Sequence, residues 1–312
     1  MGKTFNILSI DGGGFRGAYS AHLLALIEEK QGVQWKSHFN LFAGTSTGSI
    51  IAAGLACGKT ARDLAAIYKD HGETIFKKRW GLRKGYLASR YSNKALKSQL
   101  LEIFGDIKLG DVDVPLLIPA TNIGLGCVHV FKSKYDDGFI RDPNVLVRDA
   151  VLASCAAPTY FAPHKVDENL LSDGGLWANN PSLAATIDAK KRCQQNLEDI
   201  RVLSIGTGHI KKFYPQKSSL KKGLWGWGFL TRWQGGKFVE LILNLQSQNS
   251  DNMLGLLLEK DQILRLNFSS NQELPLDDPK EYADLTALAA HEITHKSKEI
   301  QQFLKTATGD NS

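Results

Sequence analysis

The sequence predicts an α/β protein whose mostly parallel sheet is covered by helices on both faces. Three observations carry that prediction. Apolar runs of strand length alternate with longer helical patterns from Phe5 onward, the order that builds βαβ units. Several of these runs lack polar alternation, as strands buried on both faces do. Glycine-bearing turns stand at the carboxyl ends of three of them, where open parallel sheets bind ligands. With 312 residues and 43% hydrophobic content, the chain can bury a sizeable core. No linker, internal repeat or low-complexity tract divides it, so the expectation is one domain over 1–312.

The elements follow in order. Phe5 to Ile10 reads as a buried strand, and Ala18 to Glu29 as a helix. Between them lies Asp11-Gly12-Gly13-Gly14-Phe15-Arg16-Gly17. A glycine-rich turn there presents backbone N–H groups at a helix N-terminus, which suits a phosphate or a transient oxyanion. Gly12, Gly14 and Gly17 also fit G-x-G-x-x-G. The acidic residue that a dinucleotide site needs about 20 positions later is lacking, because Glu28 and Glu29 fall inside the helix.

A second strand, Leu41-Phe42-Ala43, runs into Gly44-Thr45-Ser46-Thr47-Gly48 and then a helix of small apolar residues. G-x-S-x-G at a strand–turn–helix junction is a nucleophile elbow, with Ser46 lifted clear of the sheet. The helix N-terminus favours negative charge beside it. Thr60 caps a helix from Ala61 to His71, and Ser92 caps one from Asn93 to Phe104. Leu116 to Thr121 and Cys127 to Phe131 are strands, and Val145 to Cys155 is a helix. Leu170-Leu171-Ser172 is a short strand entering Asp173-Gly174-Gly175, and Pro181 starts another helix. Ile200 to Ile205 and Ile263 to Leu266 are further strands, with closing helices from Leu241 and over Tyr282 to Leu304. The Gly12, Ser46 and Asp173 turns are expected on one rim, beyond the carboxyl ends of parallel strands.

The net charge is +6, and its distribution says more than its size. Residues 74–101 and 209–239 contain no acid, and basic residues alternate with aromatics in both. Trp80, Tyr86, Trp225, Trp227 and Trp233 stand among lysines and arginines. Such stretches suit a solvated or packed loop, and equally a lid, a nucleotide site or an interface with phospholipid head groups. Cys57, Cys127, Cys155 and Cys193 are scattered without metal-ligand spacing and read as reduced core cysteines of a cytosolic protein. The N-terminus lacks a leader pattern. Gly2 invites myristoylation, but Asn6 stands where Ser or Thr is wanted. No apolar run approaches the ~20 residues of a spanning helix, so a soluble protein with at most peripheral membrane contact is expected.

A serine hydrolase needs a nucleophile, a base and oxyanion donors. Ser46 supplies the first, and the Gly13 and Gly14 amides can supply the third. The base is open. None of the eight histidines sits in a distinctive turn except His209. Asp173 ends a strand and precedes two glycines that allow close backbone approach. It is either a turn residue or a base that takes the serine proton directly. An ordinary carboxylate is feeble in that role at pH 7, and partial desolvation would improve it. A triad through His209 or His291 is the alternative.

Four motifs, in this order and spacing, resemble the patatin-like phospholipase family over roughly residues 5–208. They are Asp11 to Gly17, Gly44 to Gly48, Ala153-Ser154-Cys155-Ala156-Ala157-Pro158-Thr159-Tyr160-Phe161, and Asp173-Gly174-Gly175 followed by Asn179-Asn180-Pro181. The resemblance implies a three-layer α/β/α fold and a Ser–Asp dyad without histidine. Ser46 would be the nucleophile, Asp173 the base, and Gly12, Gly13 and Gly14 the oxyanion turn. Arg16, in the same turn, is the candidate for positioning an anion or substrate. The implied reaction is hydrolysis of lipid acyl esters, without a metal or cofactor. The C-terminal third follows the family less clearly.

Within the family the chain is most similar to bacterial anti-phage effectors, which a cyclic dinucleotide switches on to degrade the host membrane. The two basic, aromatic stretches suit both a bilayer and a ligand with two phosphates and two stackable bases. The expected partners are the inner face of the cell membrane, touched peripherally from the cytoplasm, and a cyclic dinucleotide. Neither DNA nor RNA is expected. The sequence leaves the oligomeric state open, a homodimer included. An unregulated acyl hydrolase and a non-catalytic nucleotide-binding module on the Gly12 turn are the competing functions.

Overall fold

The computed structural model describes residues 4–77, 89–210, 235–270 and 274–308. Residues 78–88, part of the first basic, aromatic stretch, and 211–234, most of the second, lie outside the described residues.

Strand β1 (Phe5–Ile10) lies inside an eight-stranded sheet. After it come α1 (Gly17–Gln31), the one-turn α2 (Trp35–His38), β2 (Leu41–Gly44) and α3 (Thr47–Ala56). Next are α4 (Ala61–Ile75) and α5 (Asn93–Phe104), then β3 (Leu116–Asn122), β4 (Cys127–Lys132) and α6 (Val147–Ser154). The chain continues through β5 (His164–Val166), β6 (Asn169–Asp173), the short α7 (Gly175–Ala178), α8 (Ser182–Arg192) and β7 (Ile200–Ile205). It closes with β8 (His209–Ile210), α9 (Gly235–Leu257), β9 (Ile263–Leu266), β10 (Ser269–Ser270) and α10 (Tyr282–Thr308). The predicted caps form. Thr60 and Asp63 make a reciprocal capping box at the start of α4, and Ser92 Oγ accepts from the Lys94 N–H.

β1 pairs in parallel with β2 and β7, β7 with β9, and β2 with β3. Alternation along these strands serves two cores. Ile7, Leu41, Leu117 and Val202 pack under Ala185 and Ala189 of α8 and Leu254 of α9. Leu8, Phe42, Ile118 and Leu203 pack on the opposite face with α1, α3, α4, α6 and α10. The result is the expected three-layer α/β/α arrangement.

One expectation about the rim is corrected. The turns after β1 and β2 do leave the sheet at the same end, but Asp173 arrives on a strand running the other way. β6 is antiparallel to β3, and β5, which the sequence did not suggest, is antiparallel to β6. β4 pairs with β3 from Leu117 to Asn122 and takes up one whole edge of it. β2 and β6 must therefore share the other edge. Ala43 stands opposite Leu117 and Asp173 opposite Ala120. These two positions on β3 lie about 10 Å apart along the strand. β2 and β6 thus meet end to end, and their C-terminal turns converge. No described helix is long and apolar enough to cross a membrane.

Candidate active site

Ser46 joins β2 to α3 with φ 53° and ψ −126°. Side chains rarely adopt such a conformation, and it costs on the order of 1–3 kcal/mol. Its surroundings hold the strain in place. The Ser46 N–H donates to Ser154 Oγ at 2.9 Å, and Ser154 Oγ donates to the Pro119 carbonyl at 2.6 Å. Thr45 Oγ1 donates to the Ala178 carbonyl at 2.6 Å. The flanking glycines are needed for close approach. A Cβ at Gly44 would lie 2.2 Å from the Gly48 carbonyl oxygen, and one at Gly48 would lie 2.3 Å from that of Ile10.

Asp173 is 3% exposed, and the nearby Ser46 hydroxyl stabilises its carboxylate. The Gly175 N–H donates to its Oδ1 at 2.7 Å. Its backbone is pinned as well: its N–H donates to the Ala156 carbonyl at 3.1 Å, and its carbonyl accepts from Thr121 Oγ1 at 2.8 Å. Among the described residues no cation pairs with it. Burial pushes its pKa up to about 6, and the nearby Ser46 hydroxyl and the Gly175 N–H offset part of that rise. The Cys155 thiol lines the same cleft as Ser46, and burial and Asp173 hold it protonated. Neither candidate histidine has a described hydrogen bond to Ser46: His209 Nδ1 lies 3.2 Å from Asn244 Oδ1, and His291 stacks on His295.

The glycine turn departs from expectation at two residues. The Gly12 N–H donates to the Asn179 carbonyl at 2.9 Å and so is not free to act as an oxyanion donor. Arg16 is 3% exposed, and its guanidinium pairs with Glu240 of α9 at 3.1 Å. Burial lowers its pKa and Glu240 opposes that. It therefore ties the turn to α9 rather than presenting charge to an anion. The Gly13 and Gly14 N–H groups have no acceptor among the described residues.

The turn separates two cavities. On one side, a cleft of about 50 Å³ reaches Ser46 and Gly14 and is walled by Ile50, Ile67, Ile75, Phe76, Leu96 and Phe161. The polar atoms in that wall, Thr47 Oγ1 and the Tyr68 hydroxyl, bond to each other. On the other side, a cavity of about 140 Å³ is lined by Asp11, Asn179, Thr207, Asn244, Ser247 and Arg265, among others. Asp11 and Arg265 form a bidentate pair there at 2.9 and 2.6 Å. One side can take an acyl chain, and the other is built of paired charges.

The family model for patatin-like phospholipases matches residues 8–186. The chain belongs to the patatin-like phospholipase family. As a member it is an enzyme, a serine-dependent hydrolase of carboxylic esters. Its relatives include a cGAMP-activated phospholipase of Escherichia coli (strain TW11681), 35% identical over 301 residues, covering 90% of this chain and 82% of that one. A cGAMP-activated phospholipase of Vibrio cholerae is 31% identical, covering 96% and 94%. A cUMP-AMP-activated phospholipase of Escherichia coli is 30% identical, covering 88% and 85%. Among solved structures, VipD from Legionella pneumophila shares the fold, with a TM-score of 0.52 and 11% identity over 98% of this chain and 67% of that one.

Sequence reasoning gave no role to Ser154, Thr121, Asn179 or Thr207. Two of them stand in motifs that were visible, Ala153 to Phe161 and Asn179-Asn180-Pro181. What those residues grip could not be seen, because the partners lie 35 to 167 positions away.

Proposed function

We propose that this patatin-like phospholipase cleaves the acyl esters of membrane glycerophospholipids with Ser46 as nucleophile and Asp173 as base. The observation that carries the reading is a buried carboxylate, Asp173, without a described cation partner and close enough to the Ser46 hydroxyl to be stabilised by it, with Ser46 itself lining an apolar cleft. A pKa of about 6 leaves Asp173 ionised at pH 7 yet much more basic than an exposed aspartate. As Ser46 Oγ bonds to the ester carbonyl carbon, its proton passes to Asp173. The negative charge on the carbonyl oxygen is met by the Gly13 and Gly14 N–H groups. Collapse breaks the ester C–O bond, and Asp173 returns the proton to the departing lysophospholipid oxygen. Water then attacks the acyl-serine with Asp173 again as base, and Asp173 returns that proton to Ser46 Oγ as the fatty acid leaves.

The finer proposal is that a cyclic dinucleotide switches this activity on, in bacterial antiviral defence, at the cytoplasmic face of the cell membrane. What supports it is that all three of the relatives described above are named for activation by such nucleotides. The experiment is fatty-acid release from phosphatidylethanolamine–phosphatidylglycerol vesicles, with and without a panel of cyclic dinucleotides. Wild type should release fatty acid, more so with one nucleotide, and Ser46→Ala should release none. A Ser46→Ala protein of full activity would sink the mechanism. Equal release with every nucleotide and with none would leave an unregulated acyl hydrolase.

A further inference from the structure

We infer that Thr207 and Asn179 are positioning residues that aim the Gly13 N–H at the oxyanion formed on Ser46. The inference rests on the proposal that Ser46 is the nucleophile. The Gly12 carbonyl oxygen accepts from Thr207 Oγ1 at 2.7 Å and from Asn179 Nδ2 at 3.2 Å. Both donors are buried. In a trans peptide the carbonyl of one residue and the N–H of the next point in opposite directions, and the chain has no cis bond here. Holding the Gly12 oxygen therefore fixes the direction of the Gly13 hydrogen.

That direction is the useful one. Thr207 and Asn179 line the polar cavity, whereas Ser46 and Gly14 line the apolar cleft. The turn is the wall between them. A carbonyl held toward the first side sends the amide toward the second, where no described residue accepts it.

The contacts are close. A Cβ at Gly13 would lie 2.2 Å from Thr207 Oγ1, so the threonine packs directly on that glycine. A Cβ at Gly12 would lie 3.2 Å from Ser46 Cβ, so the gripped peptide adjoins the nucleophile. Asn179 holds Gly12 twice, since its own carbonyl accepts the Gly12 N–H at 2.9 Å. A glycine peptide without such anchors would be free to rotate. The hydroxyl of Thr207 and the amide of Asn179 remove that freedom before substrate arrives.

The test is Thr207→Val, nearly the same shape without the hydroxyl, beside Thr207→Ser, which keeps it. Turnover of a soluble p-nitrophenyl ester and inhibition by a trifluoromethyl ketone, which forms an oxyanion on a serine nucleophile, are measured under the conditions that give maximal wild-type activity. In Thr207→Val, kcat should fall about tenfold, short of the about 100-fold expected when a donor is lost outright. KM should stay within about twofold, ketone affinity should fall by the same factor as kcat, and Thr207→Ser should restore both. An unchanged kcat and ketone affinity would overturn the inference. So would a Thr207→Ser protein as impaired as Thr207→Val, because packing rather than the hydrogen bond would then be at work. Inhibition constants and KM do not depend on the amount of folded enzyme, so partial misfolding, which lowers the apparent kcat alone, cannot mimic a matching loss of ketone affinity. Should Thr207→Val not fold, Thr207→Ala carries the same expectation. A full-activity Ser46→Ala protein would instead sink the underlying mechanism, whatever Thr207 does.

Discussion

The two sides of the glycine turn treat a buried aspartate in opposite ways. Asp11 and Asp173 are 2% and 3% exposed, and burial raises the pKa of both. Asp11 faces the polar cavity and meets a bidentate guanidinium, with Ser247 Oγ donating a further bond at 3.2 Å. Asp173 lies near Ser46, which lines the cleft, and accepts from one backbone amide, that of Gly175. The paired carboxylate holds the end of β1 against α9 and β9. The one without a described cation is the one proposed to act as a base. Burial is common to both, so on that proposal the counter-charge is what separates them.

The sharpest way to break this contrast is Asp173→Asn. Turnover should fall by about 10⁴-fold with loss of the base. Stability should move the other way. The folded-state pKa of about 6 lies above the ordinary 3.8, so ionisation costs the fold about 3 kcal/mol at about 1.4 kcal/mol per unit. The sign follows from the raised value. The cost is absent below pH 4, grows between 4 and 6, and is complete above 6. Denaturant melts at pH 7.5 should therefore find Asp173→Asn more stable than wild type, and melts at pH 4 should find them alike. A destabilised Asp173→Asn at pH 7.5 would mean that the carboxylate serves the fold.

The mirror experiment on the polar side is Asp11→Asn. It leaves Arg265 buried with Asp251 as its remaining carboxylate, at 3.2 Å. Removing one partner of a buried pair destabilises by about 3–5 kcal/mol, so the same melts should show a loss of that order. Arg265→Met added to Asp11→Asn should recover much of it, since the stranded charge is then gone. A neutral Asp11→Asn would erase the distinction between the two aspartates.

Which parts of this were legible in the sequence depends on how far apart the causes lie. The elbow was legible because strand, turn and helix are one continuous stretch and G-x-S-x-G has a local steric reason. The parallel strands were legible from unbroken apolar runs such as Ile7-Leu8 and Val202-Leu203. The approach of Asp173 to Ser46 on an antiparallel strand was not, because it depends on β4 filling one edge of β3 and leaving β6 only half of the other. The same holds for the turn. That Gly12 spends its N–H on Asn179, and Arg16 its charge on Glu240, follows from α7 and α9 packing against it, and no local pattern carries that. The resemblance supplied the pairing of Ser46 with Asp173. The residues themselves had left the base open.

A milder test uses pH on the active protein. If Asp173 must be ionised to accept the serine proton, kcat/KM for a soluble ester should rise with pH to a plateau above about 6. At pH 5 it should stand about tenfold below that plateau, because one unit below a controlling pKa leaves about a tenth of the base ionised. An imidazole base elsewhere would still give a rising limb, so the same profile should be run on His209→Gln and His291→Gln. Unmoved midpoints in both leave the limb with the carboxylate, and a lost limb in either would transfer it.

The smallest expected effect concerns the apolar side alone. Ile67 lines the cleft from α4, so a larger side chain there should act on the acyl chain and not on the chemistry. In Ile67→Trp the ratio of kcat/KM for a decanoate ester over a butyrate ester should fall about fivefold, within the range that a few displaced methylenes command. Turnover of the butyrate ester should stay near wild type, and the pH midpoint should stay near 6. A ratio unchanged by filling the cleft would mean that acyl chains lie along another surface, and the division of labour between the two sides of the turn would then rest on the aspartates alone.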